Sequence, residues 1–229
     1  MCSSDLWNLV FMELEQHADG RVTNLPRHNI DTGLGLERGA VVIQDAYSVF
    51  EIDSFQEIME WLTEVSGTRY GESEAATKAH SVLADHGRGM VFLAAEGIKP
   101  GNLGRSYILR RVIRLAVQHG FRIGLEAPFL ARLAEVVIEQ MGGTYPELKE
   151  HADEIKAVLT AEEERFSQTL ARGMRLFEEL ANGEQLSGED AFKLHDTYGF
   201  PLELTRELAS ERGLSVDEKG FAKRMDEQR

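Results

Sequence analysis

The chain has 229 residues, 42% hydrophobic and 28% charged, which is enough for one large or two small domains with buried cores and too apolar for intrinsic disorder. The composition excludes collagen-like, low-complexity and repeat-array classes, no apolar run approaches the roughly 20 residues of a membrane helix, and Met1-Cys2-Ser3-Ser4 does not read as a signal peptide. With neither a membrane helix nor a signal peptide, no membrane partner and a cytoplasmic location are expected, and a net charge of −14 that repels phosphate at long range argues against a DNA partner. Cys2 stands alone and the seven histidines are scattered, so neither a disulfide framework nor a zinc site is expected, and any metal would arrive with a ligand.

Residues 6 to 14 are apolar on both faces and rich in branched and aromatic side chains, the pattern of a buried strand. Asp19-Gly20 supplies a hairpin turn, Arg21 to Leu25 pair back, and strand character ends near Thr32. Helical spacing begins over Leu36 to Gln44, and residues 50 to 229 are expected to be helical apart from loops. Ser54-x-x-Glu57 reads as a capping box for a helix over 55 to 65 that Gly67 closes. A second helix runs from Ser73 to Glu96, with a break expected at Gly87 and Gly89. After a loop punctuated by Gly97, Pro100, Gly101 and Gly104, a basic helix from Arg105 to His119 stops at Gly120.

Pro128 suits the first turn of a helix through Met141, which Gly142-Gly143 end. Pro146 to about Ala181 reads as one long charged helix in which Ile155, Leu159, Phe166, Leu170, Met174 and Phe177 keep an apolar stripe. Ser187 caps a helix through Tyr198, Pro201 starts another to Arg212, and Ser215 opens the last. One hairpin cannot form an independent core, so residues 1 to 49 are expected to be the end of a larger sheet domain, followed by an all-helical domain over 50 to 229. The fold class is mainly α.

Three sets of residues carry chemistry. In Ile30-Asp31-Thr32-Gly33-Leu34-Gly35-Leu36-Glu37-Arg38, at a strand-to-helix junction, glycines let a ligand approach the backbone, the helix amides favour phosphate, Arg38 offers a positive fork and Asp31 can hold an ammonium. A plain tight turn is the alternative. Between Lys99 and Arg122 there are six basic side chains and no acid, which points either to a placed anion site or to a helix face paired with Glu-rich neighbours. Helical spacing puts Arg110 and Arg114 on one face with Arg111 beside both, and all three are expected to share a surface with Asn102. By pattern alone Asn102 is a loop residue, Asp196 a carboxylate near a helix end, and His86 of Asp85-His86 a structural polar residue.

The strand Leu6 to Met12 followed by Asp31 to Arg38 resembles the end of the catalytic core of the alanyl-tRNA synthetase family, the second stretch being its class II motif 3. Ala84-Asp85-His86-x-Arg88, Pro100-Gly101-Asn102, Tyr107-Ile108-Leu109-Arg110-Arg111 and Leu194-His195-Asp196-Thr197-Tyr198-Gly199-Phe200-Pro201 follow in family order. Two departures are Leu115 where an arginine is frequent and Ser106 where glycine is usual.

The resemblance implies a short antiparallel remnant of a class II synthetase core and then a helical tRNA-recognition domain. Asp31 would hold the alanine amino group, Gly33 crowd its side-chain pocket, and Gly35 and Arg38 contact ATP, which carries Mg2+ in the full enzyme. Asn102 and Asp196 would read a G·U pair in the acceptor stem of tRNA(Ala), with Arg110, Arg111 and Arg114 on its phosphates. The activity implied is that of alanine-tRNA ligase. Motifs 1 and 2 and an editing domain are not found in the sequence, so the chain alone is not expected to activate alanine. The competing readings are a non-catalytic acceptor-stem binding module and a helical interaction scaffold.

Overall fold

The computed structural model describes residues 6–198, 200 and 202–227, without the side chains of Tyr198 and Glu203. Cys2, Gly199 and Pro201 lie outside the described residues. The chain divides into two compact units, Met1–Glu57 and Ile58–Arg229.

In the first unit β1 (Trp7–Gln16) and β2 (Val22–Leu34) form an antiparallel ribbon with Trp7 opposite Leu34, Asn8 opposite Gly33 and Val10 opposite Asp31. Its turn falls at Asp19-Gly20, where Gly20 takes φ of 83° and its amide donates to the His17 carbonyl. Expectation and structure part over burial: all ten residues of β1 are exposed, Phe11 by 65%. Among the described residues the sheet has these two strands, and a two-stranded ribbon cannot cover its own faces. Helix α1 (Leu36–Ile43) follows, and then a 3-10 turn over Val49–Glu51, where Ser48 Oγ accepts from the Phe50 amide at 3.2 Å.

Helix α2 (Asp53–Ser66) begins before the expected Phe55, so Ser54 lies in its first turn and does not cap it. Asp53 occupies that turn instead, a favourable place for a negative charge on the helix dipole.

The second unit is built on α3 (Glu74–Ala95), α4 (Gly104–Arg122), α5 (Leu130–Met141) and α7 (Ala152–Leu180), with the one-turn α6 (Glu147–Glu150) before α7. Helix α7 packs against α3, α4 and α5, and Leu83, Met90, Leu109, Ile113, Leu133 and Phe166 are among the fully buried side chains. Ser73 caps α3 by accepting from the Ala76 amide at 3.1 Å.

Three expected helix limits are corrected. No break occurs at Gly87 and Gly89, because Gly87 is where α3 and α5 approach closely: a Cβ there would meet Leu133 at 3.1 Å. Gly120 does not stop α4, which runs to Arg122, since a side chain at 120 would enter the Phe129 ring. Pro128 lies ahead of α5, whose N-cap is Phe129.

The long helix expected from Pro146 is interrupted at His151, and its apolar stripe is buried at Ile155, Leu159, Phe166, Leu170 and Phe177. Met174 is half-buried. The C-terminal elements are α8 (Gly188–Tyr198), α9 (Leu202–Glu211) and α10 (Glu218–Glu227). Ser187 caps α8 as its pattern requires, accepting from the Asp190 amide at 3.1 Å.

The helix-and-loop expectation for 50 to 229 fails at one place. β3 (Gln185–Leu186) and β4 (Ser215–Val216) pair in parallel, so Ser215 belongs to a strand and α10 starts after it. Each strand is two residues long and carries no alternating pattern of its own. The pairing satisfies backbone amides of the loops before α8 and α10, with Ser215 N donating to Glu184 O at 3.1 Å and Asp217 N to Leu186 O at 3.0 Å.

Candidate functional site

Two candidate sites lie in the two units. In the ribbon, Asp31 and Gly33 are two residues apart and so share a face of β2 with their cross-strand partners Val10 and Asn8. Asn8 Oδ1 accepts from the Gly33 amide at 3.1 Å, and a Cβ at 33 would stand 3.2 Å from that oxygen, so a side chain there would push the Asn8 amide aside. The Asp31 carboxylate accepts from the Thr32 amide at 2.9 Å, and Thr32 Oγ1 links the strands by donating to Asn8 O at 2.9 Å and accepting from Trp7 Nε1 at 2.7 Å. Gly35 is the N-cap of α1 and has no side chain to cap it. The Arg38 side chain turns back over it, with Nε 3.0 Å from where a Cβ would be. Asp31, Gly33 and Arg38 are exposed.

In the helical unit, Asn102 is exposed in the loop leading into the acid-free helix α4. Its Oδ1 accepts from Arg110 Nη1, and Arg110 Nη2 donates to the Pro100 carbonyl at 3.3 Å. Within the same loop the Gly101 amide donates to Ser106 O at 3.0 Å, and residue 101 has no room for a side chain beside Ser106 Cβ.

The three arginines are not presented alike. Arg111 is exposed, whereas Arg110 and Arg114 have side chains only 18% and 29% exposed and both pair with Glu162 of α7, Nε to Oε1 at 3.3 and 2.9 Å. Arg114 also lies over the Phe166 ring at 5.1 Å. Arg110 is therefore the one of the three that touches Asn102, but like Arg114 it is largely covered and its charge is matched by Glu162, so three arginines openly presented beside Asn102 are not what the structure shows. Asp196 is exposed on α8, and α7 packs against both α4 and α8.

Burial pushes the His86 imidazole below its usual range, against the pull of Asp85 and a backbone hydrogen bond to Val112. Asp85 Oδ2 is 4.0 Å from His86 Nε2, too long for a hydrogen bond, which suits a polar residue packed between α3 and α4. Buried His119 is pushed down to about 4, by burial first and then by Arg122. Nearby, burial alone would raise the Glu207 carboxyl, but Lys78 at 2.6 Å and Arg122 at 2.9 Å hold it below its usual value. Among the described residues no group of three or more His, Cys, Asp or Glu could hold a metal ion. No described helix is long and apolar enough to cross a membrane.

Sequence reasoning missed Asn8, Glu162 and Glu163. Asn8 is the polar residue inside the otherwise apolar run Leu6 to Met12, a visible signal. Glu162 and Glu163 fall three and four residues after Leu159, on the apolar stripe, so helical periodicity marks them as buried carboxylates in need of partners.

A family model described as tRNA synthetases class II (A) matches residues 2–229, and the chain belongs to that family. Its relatives include proteins named alanine–tRNA ligase from Dehalococcoides mccartyi strain BAV1, 47% identical over 228 residues, from Thermotoga petrophila, 48% over 225, and from Burkholderia mallei, 45% over 231. Each alignment takes in 98% of this chain and 26% of the relative, so the chain spans about a quarter of the length of those proteins.

Proposed function

We propose that this chain is the part of an alanine-tRNA ligase that carries motif 3 and reads the acceptor stem of tRNA(Ala), with residues 1–49 closing a class II core and 50–229 recognising tRNA. The whole enzyme of this reading is cytoplasmic, joins alanine to ATP and passes the alanyl group to the terminal ribose. The observation that supports it most is Asn102, exposed at the entrance to an acid-free helix that also exposes Arg111, in a chain whose net charge is −14.

In the ribbon, Asp31 takes the alanine ammonium. Gly33, closed against Asn8, sets a wall that larger side chains meet, and Gly35 and Arg38 take the nucleotide phosphates at the start of α1. ATP brings Mg2+ with it as substrate complex. In the helical unit, Asp196 is an acceptor for the exocyclic amino group of guanine in the minor groove, and Asn102 completes the contact. Arg111 contacts phosphate, while Arg110 and Arg114 are held in ion pairs with Glu162. Since motifs 1 and 2 are not found here, stem reading rather than adenylate formation is assigned to this chain by itself.

The test is binding of two acceptor-stem hairpins that differ only in G·U against G·C at one pair. Asp196→Asn keeps size but puts donors where an acceptor is needed, and should lower discrimination by about 1 to 3 kcal/mol with little change on the G·C stem. Equal losses on both stems, with folding intact, overturn base reading by Asp196. No binding to either stem overturns the proposal in favour of a protein-interaction scaffold.

A further inference from the structure

Glu162 belongs to α7, yet its carboxylate is the common partner of two arginines of α4. Its side chain is 2% exposed, Oε1 accepts from Arg114 Nε at 2.9 Å and forms an ion pair, without a hydrogen bond, with Arg110 Nε at 3.3 Å, and Arg165 stands 3.5 Å from Oε2. If this carboxylate served only to join two helices, Arg114 would be sufficient. Arg110 does something else: with Nε on Glu162, its terminal nitrogens reach the loop ahead of α4 and donate to the Pro100 carbonyl and to Asn102 Oδ1.

A guanidinium has donors only, so Asn102 must offer it oxygen, and the amide nitrogen is directed away from Arg110. An exposed amide without such an anchor rotates freely and presents either end. Held this way it is a donor. The minor groove of the stem offers base acceptors and ribose hydroxyls beside the one guanine amino group, and an acceptor-only carboxylate such as Asp196 complements a fixed donor.

We infer that Glu162 is a positioning residue: through Arg110 it fixes Asn102 as a hydrogen-bond donor toward the stem, so base-pair selectivity depends on a carboxylate that never touches RNA. The inference rests on the acceptor-stem reading above, and the experiment separates the two. Without RNA, the 1H–15N spectrum of the 229-residue chain identifies the Asn102 side-chain amide by its loss in Asn102→Asp and the Arg110 Nε–H by its loss in Arg110→Lys. Glu162→Gln and Arg110→Lys should each move the Asn102 amide to the position of a free asparagine, and Glu162→Gln should broaden the Arg110 Nε–H.

With RNA, both variants should lower the preference for the G·U hairpin by about tenfold, the range of one base contact. Arg110→Lys should leave G·C affinity within about twofold, and Glu162→Gln should leave it equal or raise it, because a negative charge is removed near phosphate. Adding Glu162→Gln to Asn102→Ala should cost no further selectivity, as expected of two residues acting through one contact.

An Asn102 amide unmoved by both variants overturns the inference. Selectivity lost in Asn102→Ala but retained in Glu162→Gln and Arg110→Lys also overturns it and spares the stem reading. Selectivity unchanged in Asn102→Ala overturns the stem reading, while the RNA-free spectra still decide whether Glu162 holds the amide. Should Glu162→Gln fail to fold by circular dichroism, Arg110→Lys carries both arms, since it keeps the charge at a partly exposed position.

Discussion

Glu163 is the most exacting test of how the helices are held. Its side chain is fully buried on α7, and its two oxygens accept from the amides of Phe129 at 2.8 Å and Leu130 at 3.0 Å, the first free donors of α5. A carboxylate from one helix therefore caps another. Glu163→Ala leaves two buried amides without acceptors, at about 1 to 3 kcal/mol each. It also ends the burial of a charge, which offsets part of that loss. The net destabilisation should be about 3 kcal/mol, read from urea unfolding of the chain at 222 nm.

Glu163→Gln keeps one oxygen for one amide but turns an NH2 toward the other, and should lose roughly half as much. Burial is also the main reason that the Glu163 carboxyl is raised above its usual value, against the two amide hydrogen bonds that lower it. The folded chain then binds a proton more readily than the unfolded chain just above pH 4.5, so the Glu163 contribution falls as pH rises through that window, and Glu163→Gln should remove this slope. A loss below about 1 kcal/mol in Glu163→Ala would refute the cross-helix cap.

Gly89→Ala, in the exposed interior of α3 with nothing within 4 Å of the new methyl, should raise stability by about 0.5 to 1 kcal/mol. Gly120→Ala, against the Phe129 ring, should lower it by about 1 to 2 kcal/mol despite the same propensity gain, and thermal melts of the two separate packing from propensity. Because His119 falls from 6.5 to about 4 on folding, its contribution is complete above pH 6.5 and is lost as pH drops toward 4. His119→Gln should flatten that decline by about 2 to 3 kcal/mol in urea titrations at stepped pH. The slope that remains belongs to His86, also lowered, and to the carboxylates. Arg111→Ala should weaken both hairpins equally and reduce the salt slope by about one, measured by fluorescence anisotropy across salt, and a change in base preference would contradict a phosphate role.

The amino-acid pattern by itself determined a mainly helical chain with one N-terminal hairpin. Apolar spacing of 3.6 on α7 names the residues that must be buried, and Ser73, Ser187 and the Asp19-Gly20 turn act within a few residues of themselves, so local chemistry suffices for them. The order of the motifs was also sufficient for the family. The tertiary structure decided the rest, because it depends on residues far apart in sequence.

Gly87 and Gly120 look like helix breakers until Leu133 and Phe129 are placed against them. β3 and β4 are too short to carry a period, and exist because two loops meet with unpaired amides. For Arg110 and Arg114 the charge pattern leaves a placed anion site and a face paired with Glu-rich helices equally open. Only the crossing of α4 with α7 brings Glu162, 48 residues beyond Arg114, into the space between them, and helical periodicity states which face is buried but not which charge lies opposite.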